Sequence, residues 1–199
     1  MAFSQLIPNS NTKKQIREEI LTKRRLYPQL RKEHDDIIIT RTLESLDIIN
    51  KSKSIFSYIS LPDEVSTIPF IRKILTKGKC VLVVPKVKKE NLEFYHIFDF
   101  KHLKESAFGI LEPVSCQQVP VTYPDLFITA GIAFDSKGNR IGFGKGYMDW
   151  TFNQTQAPKI ALAYDFQVLE TVPYEVYDRQ VDLIVTPTRI INCTKRINF

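Results

Sequence analysis

The sequence predicts an α/β fold: a single-domain, layered α/β/α arrangement around a largely parallel, Rossmann-like sheet that spans residues 1–199. Short apolar runs alternate with segments rich in helix-forming residues, and this alternation is typical of parallel sheets covered by helices. The chain has 199 residues, of which 43% are hydrophobic, and contains no repeat or low-complexity linker. This size and composition suffice for one domain with a substantial core.

The N-terminal part of the chain is predicted to be helical. A helix is expected over 12–32, because Asn11 or Thr12 can serve as the N-cap and the following residues are good helix formers. A second helix is expected near 34–50. Without other information, the basic residues of the first helix predict a solvated surface, since cations in the first turn oppose the helix macrodipole.

Two shorter helices have clear ends. One should begin at Thr67 and Pro69, because proline is favoured in the first helical turn, and end at Gly78. The other should run from Tyr147 to Gln154, directly after a glycine-rich loop.

Strands are predicted in the apolar runs between these helices, near 54–60, 79–85, 92–97, 126–134, 159–164 and 182–186. The region 99–125 lacks periodicity and contains Pro113, Pro120 and Pro124. It is therefore predicted to be a connecting loop with one short helix at most.

Composition excludes several classes of protein. The three cysteines have no C-x-x-C spacing and the three histidines are scattered, so the sequence indicates no disulfide framework, zinc site or catalytic triad. No apolar run approaches 18 residues and no signal peptide follows Met1, so we expect a cytoplasmic protein without a membrane span. Free thiols suit a reducing compartment.

The segment 134–149 carries the strongest functional signal. It contains four of the seven glycines, together with Arg140 and Lys145, within sixteen residues. Glycines at 142, 144 and 146 leave the backbone N–H groups open to a polyanion, and the two cations lie beside them. The loop follows an apolar run and precedes a helix, which is where α/β sheets bind ligands. A phosphate-bearing ligand is the first expectation.

Two known phosphate loops fit the segment poorly. A P-loop needs Gly-Lys followed by Ser or Thr, whereas Gly144-Lys145 is followed by Gly146. A dinucleotide fingerprint is closer, because Asp165 ends the next apolar run, but the glycines are spaced G-x-G-x-G instead of G-x-G-x-x-G. The dinucleotide site stays open as a weaker alternative.

The block 131–149, which reads GIAFDSKGNRIGFGKGYMD, resembles the signature of the 5-formyltetrahydrofolate cyclo-ligase family, also called methenyltetrahydrofolate synthetases. The likeness extends over most of the chain. Further matching elements are Lys13-x-x-x-Arg17, Asp63-Glu64-Val-Ser-Thr67, Gly109-Ile-Leu-Glu-Pro113 and the segment from Asp178 to Thr186.

The resemblance implies an enzyme of one-carbon folate metabolism that uses ATP as co-substrate and Mg²⁺ as cofactor. Its substrate would be 5-formyltetrahydrofolate, possibly polyglutamylated. ATP would phosphorylate the formyl oxygen, N10 would attack the activated carbon, and loss of phosphate would give 5,10-methenyltetrahydrofolate. Such a transfer needs cations, Mg²⁺ ligands and a glycine loop to align and neutralise the moving phosphoryl group.

The resemblance also assigns roles to particular residues. The expected catalytic residues are Arg140, Lys145 and Tyr147, the last of which would contact the formyl group. The expected ATP-binding residues are Lys13, Lys14, Arg17, Arg140, Gly142, Phe143, Gly144, Lys145, Gly146, Tyr147 and Met148. The expected folate-binding residues are Ile59, Glu64, Phe143, Gly144, Lys145, Gly146 and Tyr147. Asp149 and Asp182 are the expected Mg²⁺ ligands.

Some of these residues have simpler interpretations. Glu64 could be a partner of the helix dipole and Ile59 an ordinary core residue. Phe143 stands where the family often has a basic or small residue, and it could either narrow the nucleotide side or stack on the pterin. A net charge of +6 also permits nucleic-acid binding, yet the chain has no recognised RNA-binding motif, and ATP and polyglutamylated folate explain the charge equally well.

Overall fold

The computed structural model describes residues 12–88, 91–106 and 111–194. Over these residues the helices are α1 (Lys13–Arg25), α2 (Gln29–Ser45), α3 (Asp47–Lys51), α4 (Ile68–Lys77) and α5 (Tyr147–Asn153). The strands are β1 (Ser54–Ser57), β2 (Val81–Lys88), β3 (Asn91–Ile97), β4 (Leu103–Glu105), β5 (Leu111–Pro113), β6 (Gln117–Val119), β7 (Leu126–Thr129), β8 (Ala133–Asp135), β9 (Arg140–Ile141), β10 (Lys159–Leu162), β11 (Val168–Leu169), β12 (Leu183–Val185) and β13 (Ile190–Asn192).

The main sheet confirms the predicted α/β class and its largely parallel strands. Within the described residues its order is β13-β12-β10-β7-β1-β2-β3-β6. The five central strands pair in parallel, and β13, β3 and β6 add antiparallel edges. Both faces are buried, because α2, α3 and α4 cover one face and Phe152 of α5 packs with the aromatic residues of the other.

The predicted helix over 12–32 is interrupted. Thr12 caps α1, since its Oγ1 accepts the N–H of Gln15 at 3.2 Å and the Gln15 side chain accepts the Thr12 N–H at 2.8 Å. Asn11, the alternative cap, lies outside the described residues. The helix ends at Arg25 because Pro28 disfavours helical backbone in the residue before it. A new helix, α2, then starts at Gln29, so the second predicted helix begins earlier than expected. It is also broken, because Leu46 is extended and separates α2 from α3.

Two other boundaries differ from the prediction. The apolar run 126–134 forms two strands: β7 belongs to the main sheet, whereas β8 pairs with β9 and β11 in a small separate sheet. The expected loop 99–125 contains β4, β5 and β6, which are three residues each and too short to show a period-2 pattern. Its expected short helix is a single 3₁₀ turn, Phe100–His102.

The remaining helix predictions are confirmed. Helix α4 follows Thr67 and ends at Gly78, whose φ of 61° is left-handed. Helix α5 begins at Tyr147, as expected. No helix in the described part of the chain has the length and apolar character needed to cross a membrane.

Candidate active site

A cavity of about 490 Å³ opens where β1, β2 and β7 end. Tyr58 and Ile59, which follow β1, form one part of its wall, and Thr129 and Ala130 from the end of β7 form another. This is the edge at which open α/β sheets bind ligands, and the volume is typical of a small-molecule site.

The cavity gathers nearly all of the residues that the sequence predicts for the site. Those lining it are Lys13, Arg17, Ile59, Glu64, Arg140, Gly142, Phe143, Gly144, Lys145, Gly146, Tyr147, Met148 and Asp149. Lys14 and Asp182 do not line it. Segments from three separate parts of the chain therefore meet at one place.

The glycines of the loop between β9 and α5 have different roles. Gly144 and Gly146 have φ values of 95° and 71°, a left-handed conformation that other residues rarely adopt. Gly142 is not left-handed, but a Cβ there would lie 2.8 Å from Nη1 of Arg140. The absence of a side chain at 142 therefore leaves room for the Arg140 guanidinium. The motif alone does not reveal this reason for a glycine at 142.

Arg140 is buried at the base of this loop. Its Nη2 donates to Asp149 Oδ1 at 2.9 Å, and its guanidinium carbon lies 5.6 Å from the centre of the Phe152 ring. The Nε has no hydrogen-bond partner among the described residues. Asp149 Oδ1 also accepts the N–H of Arg179 at 3.1 Å. A cation and a carboxylate are thus fixed side by side at the cavity wall.

The turn between β8 and β9 anchors the loop from below. Asp135 is buried, and its two carboxylate oxygens accept hydrogen bonds from the backbone of 137, 139 and 172 and from the Asn139 side chain. Gly138 has a φ of 84°, and a Cβ on it would lie 2.3 Å from the carbonyl oxygen of Val181. The backbone of the turn therefore packs directly against the backbone at Val181.

Helix α1 presents two cations to the cavity. Arg17 Nε donates to the carbonyl oxygen of Gly142 at 2.9 Å, which ties the helix to the glycine loop. Lys13 Nζ contacts Asp178 Oδ2 at 2.5 Å and Glu175 Oε1 at 3.1 Å. Burial lowers the pKa of Lys13, but hydrogen bonds and charge from these two acids outweigh it, and the pKa is raised overall. Lys14 is exposed and does not line the cavity.

Glu64 forms a buried acidic end of the cavity. It is 6% exposed, and its Oε2 accepts the N–H of Leu61 at 2.9 Å. Burial raises the pKa of Glu64, and the Leu61 amide and the charge of Arg24 counter that rise only in part. Ile59 is buried beside it and gives an apolar wall.

The two expected metal ligands are not brought together. Asp182 lies in a separate polar depression behind α5. Its Oδ2 accepts the Lys159 N–H at 2.9 Å and its Oδ1 accepts the Thr194 hydroxyl at 2.7 Å, so the carboxylate joins β10 to the ends of β12 and β13. Asp149 alone of the pair lines the cavity. Over the described ranges, no group of three or more His, Cys, Asp or Glu residues is arranged to hold a metal.

Some cavity residues were not selected from the sequence. Lys86 of β2 and Glu112 of β5 face each other across the cavity wall, with Nζ and Oε2 3.4 Å apart. Glu112 belongs to the matched segment 109–113, of which residues 109 and 110 lie outside the described residues. Asp178 also lines the cavity, and the matched C-terminal segment was the signal that could have selected it.

Fold and site together define an α/β protein with a glycine loop and a cation-lined cavity at the carboxyl ends of its parallel strands. The chain belongs to the 5-formyltetrahydrofolate cyclo-ligase family, whose sequence profile matches residues 9–187.

Individual relatives agree with this membership. The 5-formyltetrahydrofolate cyclo-ligase of Haemophilus influenzae is 32% identical over 85% of this chain and 95% of its own length. The enzyme of the same name from Escherichia coli K12 is 28% identical over 84% of this chain and 96% of its own. The structure of Aquifex aeolicus 5,10-methenyltetrahydrofolate synthetase is 30% identical, has a TM-score of 0.84, and covers 94% of this chain and 95% of that one.

Proposed function

We propose that this protein converts 5-formyltetrahydrofolate to 5,10-methenyltetrahydrofolate, with conversion of ATP to ADP and phosphate. The observation that carries the proposal is the meeting of two unlike ends in one cavity. The glycine loop with Arg140 and Lys145 lines one part of the cavity, here called the loop end, and buried Glu64 lines another, here called the Glu64 end. Phosphoryl transfer to a folate needs both a polyanion site and an apolar pocket with an oriented acceptor.

The nucleotide is assigned to the loop end. Lys13 and Arg17 would bind its phosphates together with residues 142–148, because a bound polyanion turns the mutual repulsion of these cations into attraction. Lys13 would then exchange Asp178 and Glu175 for a phosphate group. Lys14, which is exposed, is left out of this assignment.

The folate is assigned to the Glu64 end. Its pterin ring carries neighbouring N–H donors, and an ionised carboxylate accepts two such bonds at once. Ile59 and the ring of Phe143 supply apolar surface on either side. Tyr147, which begins α5 and lines the cavity, would hold the formyl oxygen toward the γ-phosphoryl group.

The chemistry follows from the poor leaving ability of an amide oxygen. The formyl oxygen attacks the γ-phosphorus and ADP leaves; N10 then attacks the activated carbon, its proton is lost to solvent, and phosphate departs. Arg140 and Lys145 neutralise the charge that moves during these steps.

A Mg²⁺ ion fits the loop end through Asp149. Both described hydrogen bonds to that carboxylate go to Oδ1, and Mg²⁺ needs only one or two carboxylates in addition to nucleotide phosphates and water. When bound, the ion would neutralise phosphate charge. Asp182 is not assigned to it, because both oxygens of that buried carboxylate already accept hydrogen bonds.

A direct assay tests the proposal. Purified protein is mixed with 5-formyltetrahydrofolate, ATP and Mg²⁺, and the near-ultraviolet absorbance of the methenyl product is followed. An ATP-dependent signal is expected. Its absence with folded protein would contradict the proposed function. We also assign the activity to the cytoplasm, a location that suits the three free cysteines.

A further inference from the structure

Arg24 is a buried cation just outside the cavity. It lies in the last turn of α1, is 2% exposed and does not line the cavity wall. Its Nε donates to the carbonyl oxygen of Asp63 at 3.1 Å. A guanidinium removed from water at this level is costly unless charged partners surround it. Its partners therefore indicate what it does.

Two acids share this guanidinium. Nη2 lies 2.7 Å from Asp63 Oδ1 and 3.8 Å from Glu64 Oε1. The Asp63 contact is a close charge pair with the wrong angle for a hydrogen bond, and Nη1 has no hydrogen-bond partner in the part of the chain that the structure describes. Arg24 is thus held near both acids without being saturated by either.

We infer that Arg24 is a positioning residue for folate binding: from behind the cavity wall it keeps the Glu64 carboxylate ionised and directed at the pterin ring. The inference rests on the proposed function, because it names how the folate end of that site is kept in working form. Arg24 itself would touch neither substrate.

Other charged and titratable groups face Glu64 but are already engaged. From α2, Lys32 Nζ pairs with Asp36 Oδ2 at 2.7 Å. Tyr164, which follows β10, donates to Asp36 Oδ1 at 2.8 Å, and Tyr58, which follows β1, donates to the carbonyl oxygen of Val65 at 2.7 Å. Asp63 repels Glu64. Within the described ranges, Arg24 is the cation that lies within 4 Å of the Glu64 carboxylate.

Phe143 connects Arg24 to the glycine loop. The guanidinium carbon lies 5.8 Å from the centre of that ring, within the range of a cation–π contact. Phe143 and Glu64 therefore flank one guanidinium, which puts the aromatic side chain of the loop on the folate side of the cavity. Loss of Arg24 should accordingly change folate binding more than nucleotide binding.

The test compares Arg24→Leu with Arg25→Leu, a change in the neighbouring exposed arginine. Arg24→Leu should raise KM for 5-formyltetrahydrofolate at least about 10-fold, the usual effect of losing a charge-assisted contact, and leave KM for ATP within about twofold. The acid limb of the pH profile of kcat/KM for folate should move to higher pH, because a carboxyl without its cation protonates more readily. Arg25→Leu should behave like the parent.

Further variants keep the result interpretable. Arg24→Lys should move the acid limb of the pH profile most of the way back to its position in the parent, since it restores the charge. In a Glu64→Gln background, Arg24→Leu should add almost nothing to KM for folate, and this pair is less prone to unfold because no buried carboxylate loses its cation. Circular dichroism and thermal melts show which variants are folded.

Two outcomes would overturn the inference. One is a folded Arg24→Leu whose KM for folate and acid limb match those of Arg25→Leu. The other is an equal loss of folate affinity from Arg24→Leu with and without Glu64. A parent protein that neither binds 5-formyltetrahydrofolate in calorimetry nor forms the methenyl product would instead contradict the proposed function, and the inference with it.

Discussion

The loop end of the cavity is exposed and shaped by backbone, whereas the Glu64 end is buried and shaped by side-chain charge. Residues 143–146 are exposed and depend on left-handed glycines. Glu64 and Arg24 are almost fully buried and depend on each other and on Asp63. The exposed loop end suits a charged ligand, which enters from water and returns to water. The Glu64 end suits a ring that binds in a pocket from which water is excluded.

The comparison also separates two kinds of functional residue. At the loop end, the residues that would contact the nucleotide are themselves the motif. At the Glu64 end, the residue that would contact the folate lies 3.8 Å from a guanidinium that comes from a helix forty residues earlier in the chain. Changes at the two ends should therefore differ both in size and in the substrate they affect.

The largest effect is expected for Arg140→Ala. It removes the buried cation of the loop end and should lower kcat by about 10²-fold or more, as when a group that stabilises transition-state charge is lost. Steady-state kinetics measures this. Arg179→Ala is the matched control, because that guanidinium pairs with Asn153 outside the cavity. If both variants stay within about twofold of the parent, Arg140 has no part in the chemistry.

Lys13→Ala should have a smaller and more selective effect. We expect a rise of about 10-fold in KM for ATP with kcat nearly unchanged, because a phosphate ligand is lost. Lys14→Ala serves as the control, since that neighbour is exposed and does not line the cavity. Equal effects of the two changes would mean that helix charge, and not a specific contact, attracts the nucleotide.

Asp149→Asn and Asp182→Asn should separate metal binding from folding. Asp149→Asn should raise the Mg²⁺ concentration for half-maximal rate several-fold, because Mg²⁺ loses a carboxylate ligand. Asp182→Asn should leave that concentration unchanged and lower the free energy of unfolding by about 1–3 kcal/mol, the cost of an unsatisfied buried hydrogen bond. Mg²⁺ titrations and urea unfolding distinguish the two. A shifted Mg²⁺ requirement in Asp182→Asn would contradict the assignment.

The smallest expected effect is a pH dependence of stability at the Glu64 end. Because the folded protein raises the pKa of Glu64 above its ordinary value of 4.5, the folded state binds the proton more tightly than the unfolded chain. Its contribution to stability is complete below pH 4.5 and is lost as pH rises through the higher, folded value. Thermal melts of Glu64→Gln should lack this component. A parent-minus-variant difference that is constant with pH would refute the raised pKa.

How far the sequence predicts the molecule depends on the range of the interactions involved. The cap at Thr12, the stop at Gly78 and the start of α5 follow from local rules, and all three are confirmed. The parallel sheet follows from the alternation of elements. The short strands β4, β5 and β6 were missed, because pairing with distant segments, and not a local pattern, stabilises them.

The same distinction holds for the site. Gly144 and Gly146 were recognisable because a left-handed loop leaves glycines in the sequence. The contact of Arg24 with Glu64 leaves no such pattern, since the two residues are far apart in the chain and the sequence around Arg24 indicates only one more basic residue of a surface helix. Asp182 was assigned to a metal by position in a matched segment. Its hydrogen bonds to Lys159 and Thr194, which place it elsewhere, depend on tertiary structure alone.

The packing at Gly138 has a consequence for engineering this protein. Even a methyl group at residue 138 would collide with the carbonyl of Val181, whereas a Cβ at 146 meets no atom within 4 Å. Gly144 and Gly146 are left-handed, so other residues there are strained even where no atom is in the way. A library restricted to the exposed positions 143 and 145 should yield many folded clones with altered ligand preference. A library that includes position 138 should consist mostly of misfolded chains, so the boundary between diversifiable and forbidden sequence falls inside a single motif of sixteen residues.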